Sequence, residues 1–390
     1  MTFRFVISVV FLISLVPSLA GQLLADSVEN CFEPELNFHI GKLVKIHGEY
    51  PESDLASLTE LNFSFRSRGK RCWHVKRGFP STGVALVYAG FGNKEILGHA
   101  VGVLPHVRVR LGQSPLWVKM GMGAAWFSSP FDAIDNPENL VIGTRIANIS
   151  QFWIGGMWPM SRQVRLTTGI SLTHCSNFHL AVPNIGANLV ALGVGLSWTS
   201  DVDRLNTRSQ QVVCPQQLRG WRPGAHLLLG IHEFQGTIRP FGGPIYPVYG
   251  FSVFARRELP GLDAVSVGIN AHYYTAFRDY TISQQLDNAD GNVYARNIVV
   301  YAQYEWMWGH LGIVLQGGVN VYAPFYQGFS KTWDLPKKGW VNLWTANKVG
   351  YRYYFHLRPE HRDRRVFAGL SLKANGGTAD FLESSFGFVW

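Results

Sequence analysis

Apolar and polar residues alternate along much of this chain with a period of two. In residues 297–308, for example, Ile298 and Val300 share one parity while Gln303 and Glu305 share the other. Since successive side chains of a β-strand point to opposite faces, this pattern predicts strands with one apolar face. Segments of the same kind occupy residues 100–111, 116–127, 186–198, 225–235, 246–256 and 265–273.

The strand pattern and the composition together predict an all-β fold, a transmembrane antiparallel β-barrel. The chain has 41 glycines, 14% aromatic residues and only 16% charged residues, and aromatic residues stand at the strand ends. Beyond the N-terminus no apolar run reaches the roughly 18 residues that a membrane helix needs. The candidate strands number between about 12 and 16, and we predict about 14 because bacterial single-chain barrels have even numbers. A large soluble β-sandwich is the alternative.

The ends of the chain indicate export to the bacterial outer membrane. Residues 1–20 have the cationic start, the apolar stretch and the small-residue exit of a secretory signal peptide. The last residues, Phe386 to Trp390, alternate and look like the closing strand of a bacterial outer-membrane barrel. Between them we predict an N-terminal segment at 21–57, with one possible strand around 43–47, and one closed barrel at 58–390. Residues 58–200 and 224–390 would both contribute strands to that single sheet.

Four cysteines lie in the exported portion, where disulfides can form. Four cysteines allow three complete pairings, and the sequence does not choose among them. The residues concerned are Cys31, Cys72, Cys175 and Cys214. Neither a CxxC pair nor clustered His/Cys spacing suggests zinc, so we expect no metal and no cofactor.

The formal net charge of +9 is concentrated in two basic stretches, residues 66–77 and 352–365. Basic loops on an outer-membrane protein can bind lipopolysaccharide phosphates through charge-assisted contacts, or they can simply be solvated. The basic stretches leave both interpretations open. The partners that we expect for the whole chain are the membrane and lipopolysaccharide, and no nucleic acid.

A candidate catalytic pair stands at the end of one alternating strand. His174 and Ser176 stand two residues apart and share their parity with Ile170 and Leu172, so both would face lipid from the barrel wall. A base beside a hydroxyl is the minimum for serine nucleophilic catalysis. A lone serine or histidine on a strand is more often structural, so the pair needs the support of its surroundings.

Residues 169–188, GISLTHCSNFHLAVPNIGAN, supply that support. They resemble the H-x-S-N and P-N-x-G motif of the outer-membrane lipid A 3-O-deacylases, the PagL-type acyloxyacyl hydrolases, and the similarity covers about 81–198. The resemblance implies that Ser176 is a nucleophile attacking the ester of a 3-hydroxyacyl chain on lipid A, with His174 as its general base. It also implies that Asn177, Asn184 and Gly186 shape the oxyanion and substrate site.

At one position the chain departs from the family pattern. In the family a glutamate completes the triad where this chain has Asn188. Asn188 shares its parity with the apolar positions of its strand, and its amide oxygen can accept the histidine N–H and fix the tautomer. We therefore predict a Ser176, His174 and Asn188 triad, with Asp132 or Asp135 as alternative third members.

Two other functions remain open: an outer-membrane pore or transporter, and a catalytically inactive structural barrel. A soluble lipase is disfavoured because no G-x-S-x-G elbow surrounds any serine.

Overall fold

The computed structural model describes most of the chain after residue 30. The described residues are 31–46, 48–69, 71–112, 114–199, 212, 214, 220–234, 241–284, 290–332, 344–356, 365–376 and 378–390. The predicted signal peptide at 1–20 lies outside them.

The first eight strands form a closed antiparallel barrel. Each strand pairs with the next along the chain, and β8 pairs with β1 to close the sheet. The strands are β1 (Cys31–Leu43), β2 (Ala56–Arg66), β3 (Ser81–Gly90), β4 (His99–Arg110), β5 (Leu116–Phe127), β6 (Ile146–Pro159), β7 (Val164–Ser176) and β8 (Ala187–Trp198).

The other eight strands form a second closed antiparallel barrel, in which β16 pairs with β9. The strands are β9 (Arg222–Glu233), β10 (Ile245–Glu258), β11 (Ala264–Tyr274), β12 (Arg296–Trp308), β13 (Leu311–Tyr322), β14 (Thr345–His356), β15 (Arg365–Asn375) and β16 (Thr378–Val389). The chain divides into two compact units, Met1–Asn177 with Pro183–Cys214, and Phe178–Val182 with Pro215–Trp390.

The prediction of one closed sheet of about 14 strands is therefore wrong, although the all-β class and the antiparallel pairing are confirmed. Strand β1 lies within the segment 21–57 that we placed before the barrel, and it ends at Leu43, where we expected a strand to begin. Alternation along a strand shows which face is apolar but carries no information on its partner. Hydrogen bonding closes the sheet after β8, and eight strands give a barrel just wide enough for side chains to fill.

Charged and aromatic side chains fill the first barrel. Glu60 and Lys119 are both 0% exposed, and the Lys119 ammonium donates to the Glu60 carboxylate at 2.5 Å and to Asn62 Oδ1 at 2.7 Å. Trp153, also 0% exposed, packs edge-on against the His39 ring. A buried charge is tolerated only when it is paired in this way.

The second barrel has an ion network of its own. The carboxylate of Glu305 accepts from Arg352 at 2.5 Å, from Arg256 at 3.2 Å and from the Tyr354 hydroxyl at 2.6 Å. Arg352, which the sequence suggested as part of a basic loop, is thus a buried interior residue of β14. Burying the side chain costs free energy that the carboxylate offsets.

Among the residues that the structure describes, four short helices lie in the connections: α1 (Cys72–Lys76), α2 (Thr275–Ser283), α3 (Gly291–Tyr294) and α4 (Pro324–Thr332). In the described part of the chain, none of the helices has the length and apolar character needed to cross a membrane.

The structure selects one cysteine pairing. Cys72 and Cys214 form a disulfide with a Cα–Cα distance of 5.1 Å. Cys31 and Cys175 are buried free thiols.

Candidate functional site

His174 and Ser176 lie at the end of β7 on the outward face of the first barrel. The inward parity of this strand carries Thr167 and Ser171, which bond to side chains inside the barrel. The outward parity carries Leu172, which is 45% exposed, and leads to the half-buried His174 and to Ser176, which is 6% exposed. The period of two therefore places the pair on the apolar outer wall, as its parity predicted.

Three side chains form a hydrogen-bonded chain at this point. His174 Nε2 lies 3.0 Å from Ser176 Oγ, and His174 Nδ1 lies 2.9 Å from Asn188 Oδ1. Because His174 pairs directly with Asn188 across β7 and β8, the register of this hairpin sets the second contact. An amide oxygen can only accept, so Nδ1 carries the ring hydrogen and Nε2 is left to accept the serine proton.

Asn177, Asn184 and Gly186 shape the connection between β7 and β8. The backbone N–H of Asn177 donates to Asn184 Oδ1 at 3.0 Å, which closes the base of this connection. The backbone N–H of Gly186 donates to the carbonyl of Val141 at 3.0 Å, and that of Ile185 donates to Leu140 at 3.1 Å. Asn177, Asn184 and Gly186 therefore fix the backbone of this connection. The backbone N–H groups of Asn177 and Gly186 already donate to Asn184 Oδ1 and to the Val141 carbonyl.

Gly186 is required at its position for two reasons. Its φ of +79° is a left-handed conformation that glycine adopts without steric cost. A Cβ added there would lie 3.0 Å from His174 Cε1 and 3.1 Å from the Cys175 carbonyl oxygen. The glycine therefore lets the connection approach the histidine ring closely.

Two residues of β6 that the sequence reasoning missed lie beside the pair. Asn148 pairs with Ser176 and Ser150 pairs with His174 across the β6–β7 ladder. Ser150 Oγ donates to Asn148 Oδ1 at 2.7 Å, and Asn148 Nδ2 donates to the Gly123 carbonyl at 3.0 Å. The signal in the sequence is that polar residues replace apolar ones at the outward positions of this strand end.

The alternative third members lie in the connection between β5 and β6. Asp132 Oδ1 accepts from the backbone N–H groups of Ile134 at 2.9 Å and Asp135 at 3.0 Å. Those two bonds lower the pKa of the exposed Asp132 carboxyl. Asp132 thus stabilises the turn of its own loop, and the histidine ring has Asn188 as its partner.

On the inner side of the site, Tyr50 from the connection between β1 and β2 is 5% exposed and lies near Cys175 and the backbone of Asn188. Burial raises the pKa of the Tyr50 phenol. In the part of the chain that the structure describes, no group of three His, Cys, Asp or Glu side chains is placed to hold a metal ion.

Among solved structures, the matches are with outer-membrane proteins and porins at low identity and low TM-score. A triple mutant of the Rhodopseudomonas blastica porin is 10% identical, with 92% of this chain and 98% of the porin covered and a TM-score of 0.17. The outer membrane protein opdK from Pseudomonas aeruginosa is 12% identical, with 93% and 98% covered and a TM-score of 0.22. Scores this low carry no argument about function. No curated protein matches the chain.

Two family models match the chain, one in each barrel. The model described as lipid A 3-O-deacylase (PagL) matches residues 59–197, which include all three residues of the hydrogen-bonded chain. The model described as acyloxyacyl hydrolase, C-terminal domain, matches residues 221–390, the strands that the sequence reasoning treated only as additional. The matches together span most of the sequence, so the chain belongs to the PagL lipid A 3-O-deacylase family and carries its acyloxyacyl hydrolase C-terminal domain.

Proposed function

We propose that this protein is an outer-membrane serine esterase that removes an ester-linked 3-hydroxyacyl chain from the lipid A of lipopolysaccharide. The observation that supports the proposal most is the hydrogen-bonded chain of Ser176, His174 and Asn188 on an outward, apolar barrel face. Serine hydrolases share this arrangement, in which a nucleophile is hydrogen-bonded to a base and the base to an orienting group. Because this barrel face contacts lipid, the three side chains would reach an acyl ester that stays in the membrane.

In the proposed reaction Ser176 Oγ attacks the ester carbonyl carbon while His174 Nε2 takes the serine proton. The tetrahedral oxyanion collapses, the sugar oxygen leaves, and it takes the proton from the imidazolium. The product at this stage is an acyl-serine ester. A water molecule, deprotonated by the same His174 nitrogen, then hydrolyses that ester and restores the serine.

The role proposed for Asn188 is to hold the ring of His174. Its oxygen at 2.9 Å from Nδ1 keeps the hydrogen on that nitrogen and leaves Nε2 facing the serine. A carboxylate would also stabilise the positive charge that forms on the ring, which a neutral amide does less well. Asn148 and Ser150, next to the pair on β6, are placed to line the bound ester.

The position of the site within the barrel fits an outer-leaflet substrate. At the end of the first barrel that carries the site, the connections are 44–55, 91–98, 128–145 and 177–186. At the other end they are 67–80, 111–115 and 160–163. Bacterial barrels have longer extracellular loops and shorter periplasmic turns, so we place the site at the outer leaflet, where lipopolysaccharide lies.

Substituting Ser176 tests the proposal. Ser176→Ala should abolish the loss of the acyl chain, because alanine has no nucleophile, while the barrel still assembles. Mass spectrometry of lipid A from cells that express the parent or the variant measures this directly. Ser57→Ala, at an exposed serine of β2, is the matched control and should deacylate as the parent does.

Equal deacylation by the parent and by Ser176→Ala would remove Ser176 as the nucleophile. Absence of deacylation by a folded parent would favour the inactive structural barrel instead. The pore is opposed by the filled interior, in which Trp153 and Lys119 are both 0% exposed.

A further inference from the structure

The outward face of the first barrel carries one formal charge among mostly apolar side chains. At the outward positions of β1–β8, all of which the structure describes, Lys42 is the one lysine, arginine, aspartate or glutamate. Its side chain is exposed, as are those of Phe38 and Ile40, the preceding outward residues of β1. A lysine on the lipid face destabilises a barrel, least of all near the membrane interface. An ionisable residue at such a position is a functional candidate.

The register of the sheet places Lys42 beside the proposed catalytic residues. Lys42 pairs with Val190 across β1 and β8, and Asn188 is the next outward residue of β8. The two are therefore diagonal neighbours on one face, about 7–8 Å apart, within reach of a long side chain. One strand separates β1 from β7, so the backbones that carry Lys42 and His174 lie about 10 Å apart.

Lys42 also lies at the same end of the barrel as the site. It is the penultimate residue of β1, and Ser176 ends β7. Lys45, three residues further along, pairs with Glu52 at 2.5 Å. Among the described residues, no carboxylate pairs with Lys42 in this way. A lysine near the membrane interface extends its ammonium toward the water, so this cation can bind an anion of a lipid headgroup.

Lipid A supplies such an anion. Its sugar headgroup carries phosphate, and the acyl ester is attached to that same headgroup. An ammonium beside the site could therefore hold the phosphate while the ester carbonyl lies against Ser176. Lysine binds phosphate as a point charge, through charge-assisted hydrogen bonds.

We propose that Lys42 binds a phosphate group on the sugar headgroup of the substrate and so selects phosphorylated lipid A. This inference rests on the proposed function. The phosphate is not part of the bond that breaks, so its contact with Lys42 is the same in the bound substrate and in the transition state. Such a contact lowers KM and leaves kcat unchanged.

The kinetics of Lys42→Gln on two substrates test the inference. The substrates are phosphorylated lipid A and the same lipid after removal of its phosphates, each in nonionic detergent with purified, folded protein. Lys42→Gln should raise KM for the phosphorylated lipid by about 10-fold, the lower end of what a hydrogen bond to a charged group contributes. Its KM for the dephosphorylated lipid should equal that of the parent. Lys42→Arg keeps the charge and should stay close to the parent on both.

Lys45→Gln is the matched control. It makes the same change of charge three residues away, at a lysine that already pairs with Glu52, and it should keep the parent KM on both substrates. An unchanged KM in Lys42→Gln would overturn the inference. An equal rise in KM on both substrates would also overturn it, because the lysine would then act on the wall and not on the phosphate.

Binding measured without turnover separates this inference from the proposed function. In the Ser176→Ala protein, adding Lys42→Gln should weaken binding of phosphorylated lipid A by about 10-fold and leave binding of the dephosphorylated lipid unchanged. Equal binding of the two lipids by Ser176→Ala would overturn the inference, whatever the activity. A parent that binds phosphorylated lipid A through Lys42 but cleaves neither lipid would overturn the proposed function alone.

Discussion

At the scale of single residues, the role proposed for Asn188 depends on one hydrogen bond. It bonds to His174 Nδ1 at 2.9 Å from the facing position of β8. The half-buried side chain lies on the outward parity, so replacing it leaves no hole in the barrel interior. The orienting contribution of this residue can therefore be measured without disturbing the fold.

The rate of hydrolysis should respond differently to two substitutions of Asn188. Asn188→Ala should slow it strongly, since losing the orienting partner of a catalytic histidine costs up to about 10⁴-fold in a serine triad. Asn188→Glu should keep or raise the rate, because a carboxylate both orients the ring and stabilises its charge. Rates of lipid A hydrolysis by purified, folded protein in detergent give the comparison.

Leu192→Ala, at a 66% exposed outward position of the same strand, controls for a general effect of altering the wall. An Asn188→Ala protein as fast as the parent would show that the third member lies elsewhere or that none is needed.

At the scale of elements, the geometry of the site could be predicted where it depends on strands. The spacing of His174 and Ser176 placed them on one outward face, and the parity of Asn188 placed it on the same face. The β7–β8 register then brings His174 and Asn188 together. Strand periodicity decides which face each of the three residues occupies, and the register decides which of them meet.

The contacts made by connections could not be predicted in the same way. Gly186 donates to Val141, and Val182 donates to Glu233, a residue more than fifty positions away along the chain. The first bond joins two backbone groups and the second has a backbone donor and a carboxylate acceptor. Every residue except proline has a backbone N–H, so the sequence carries little signal for the donors. Asn148 and Ser150 were missed because their strand partner was not known.

The connections also allow the orientation of the first barrel to be tested. Ile134, in the connection between β5 and β6, is 87% exposed, and this connection bonds to that of the site through Leu140 and Ile185. An epitope tag inserted at Ile134 should therefore be reached by antibody on intact cells. A tag at Gly112, in an exposed turn at the other end of the barrel, should be reached only after the outer membrane is permeabilised.

The reverse pattern of labelling would invert the topology and would move the site to the inner leaflet, away from lipopolysaccharide. The segment near His179 is unsuitable for a tag because His179 is 6% exposed and its carbonyl accepts from Glu233.

At the scale of the whole molecule, the sequence indicated closed β-sheet but not how many sheets close. The buried charges distinguish one wide sheet from two narrow ones, and the alternation does not. Glu60 pairs with Lys119 in one barrel, and Glu305 pairs with Arg352 in the other. Each network needs partners from several strands of one narrow barrel, and a wide barrel of about 14 strands would leave those charges in water. Which charge meets which depends on strand register, so this pairing could be read only from the structure.

The filled interiors lead to the last prediction, that the parent protein conducts no ions. In the first barrel Trp153 and Lys119 are 0% exposed, and in the second Phe381 is 0% and Tyr354 is 1% exposed. Eight-stranded barrels are filled by side chains, whereas an aqueous channel takes about 16 strands in one sheet. Purified protein in a planar bilayer should therefore give no stepwise current, while a porin added to the same bilayer gives one. Steady single-channel current steps that appear with the parent protein and are absent without it would show a continuous water path. That result would favour the pore over the esterase.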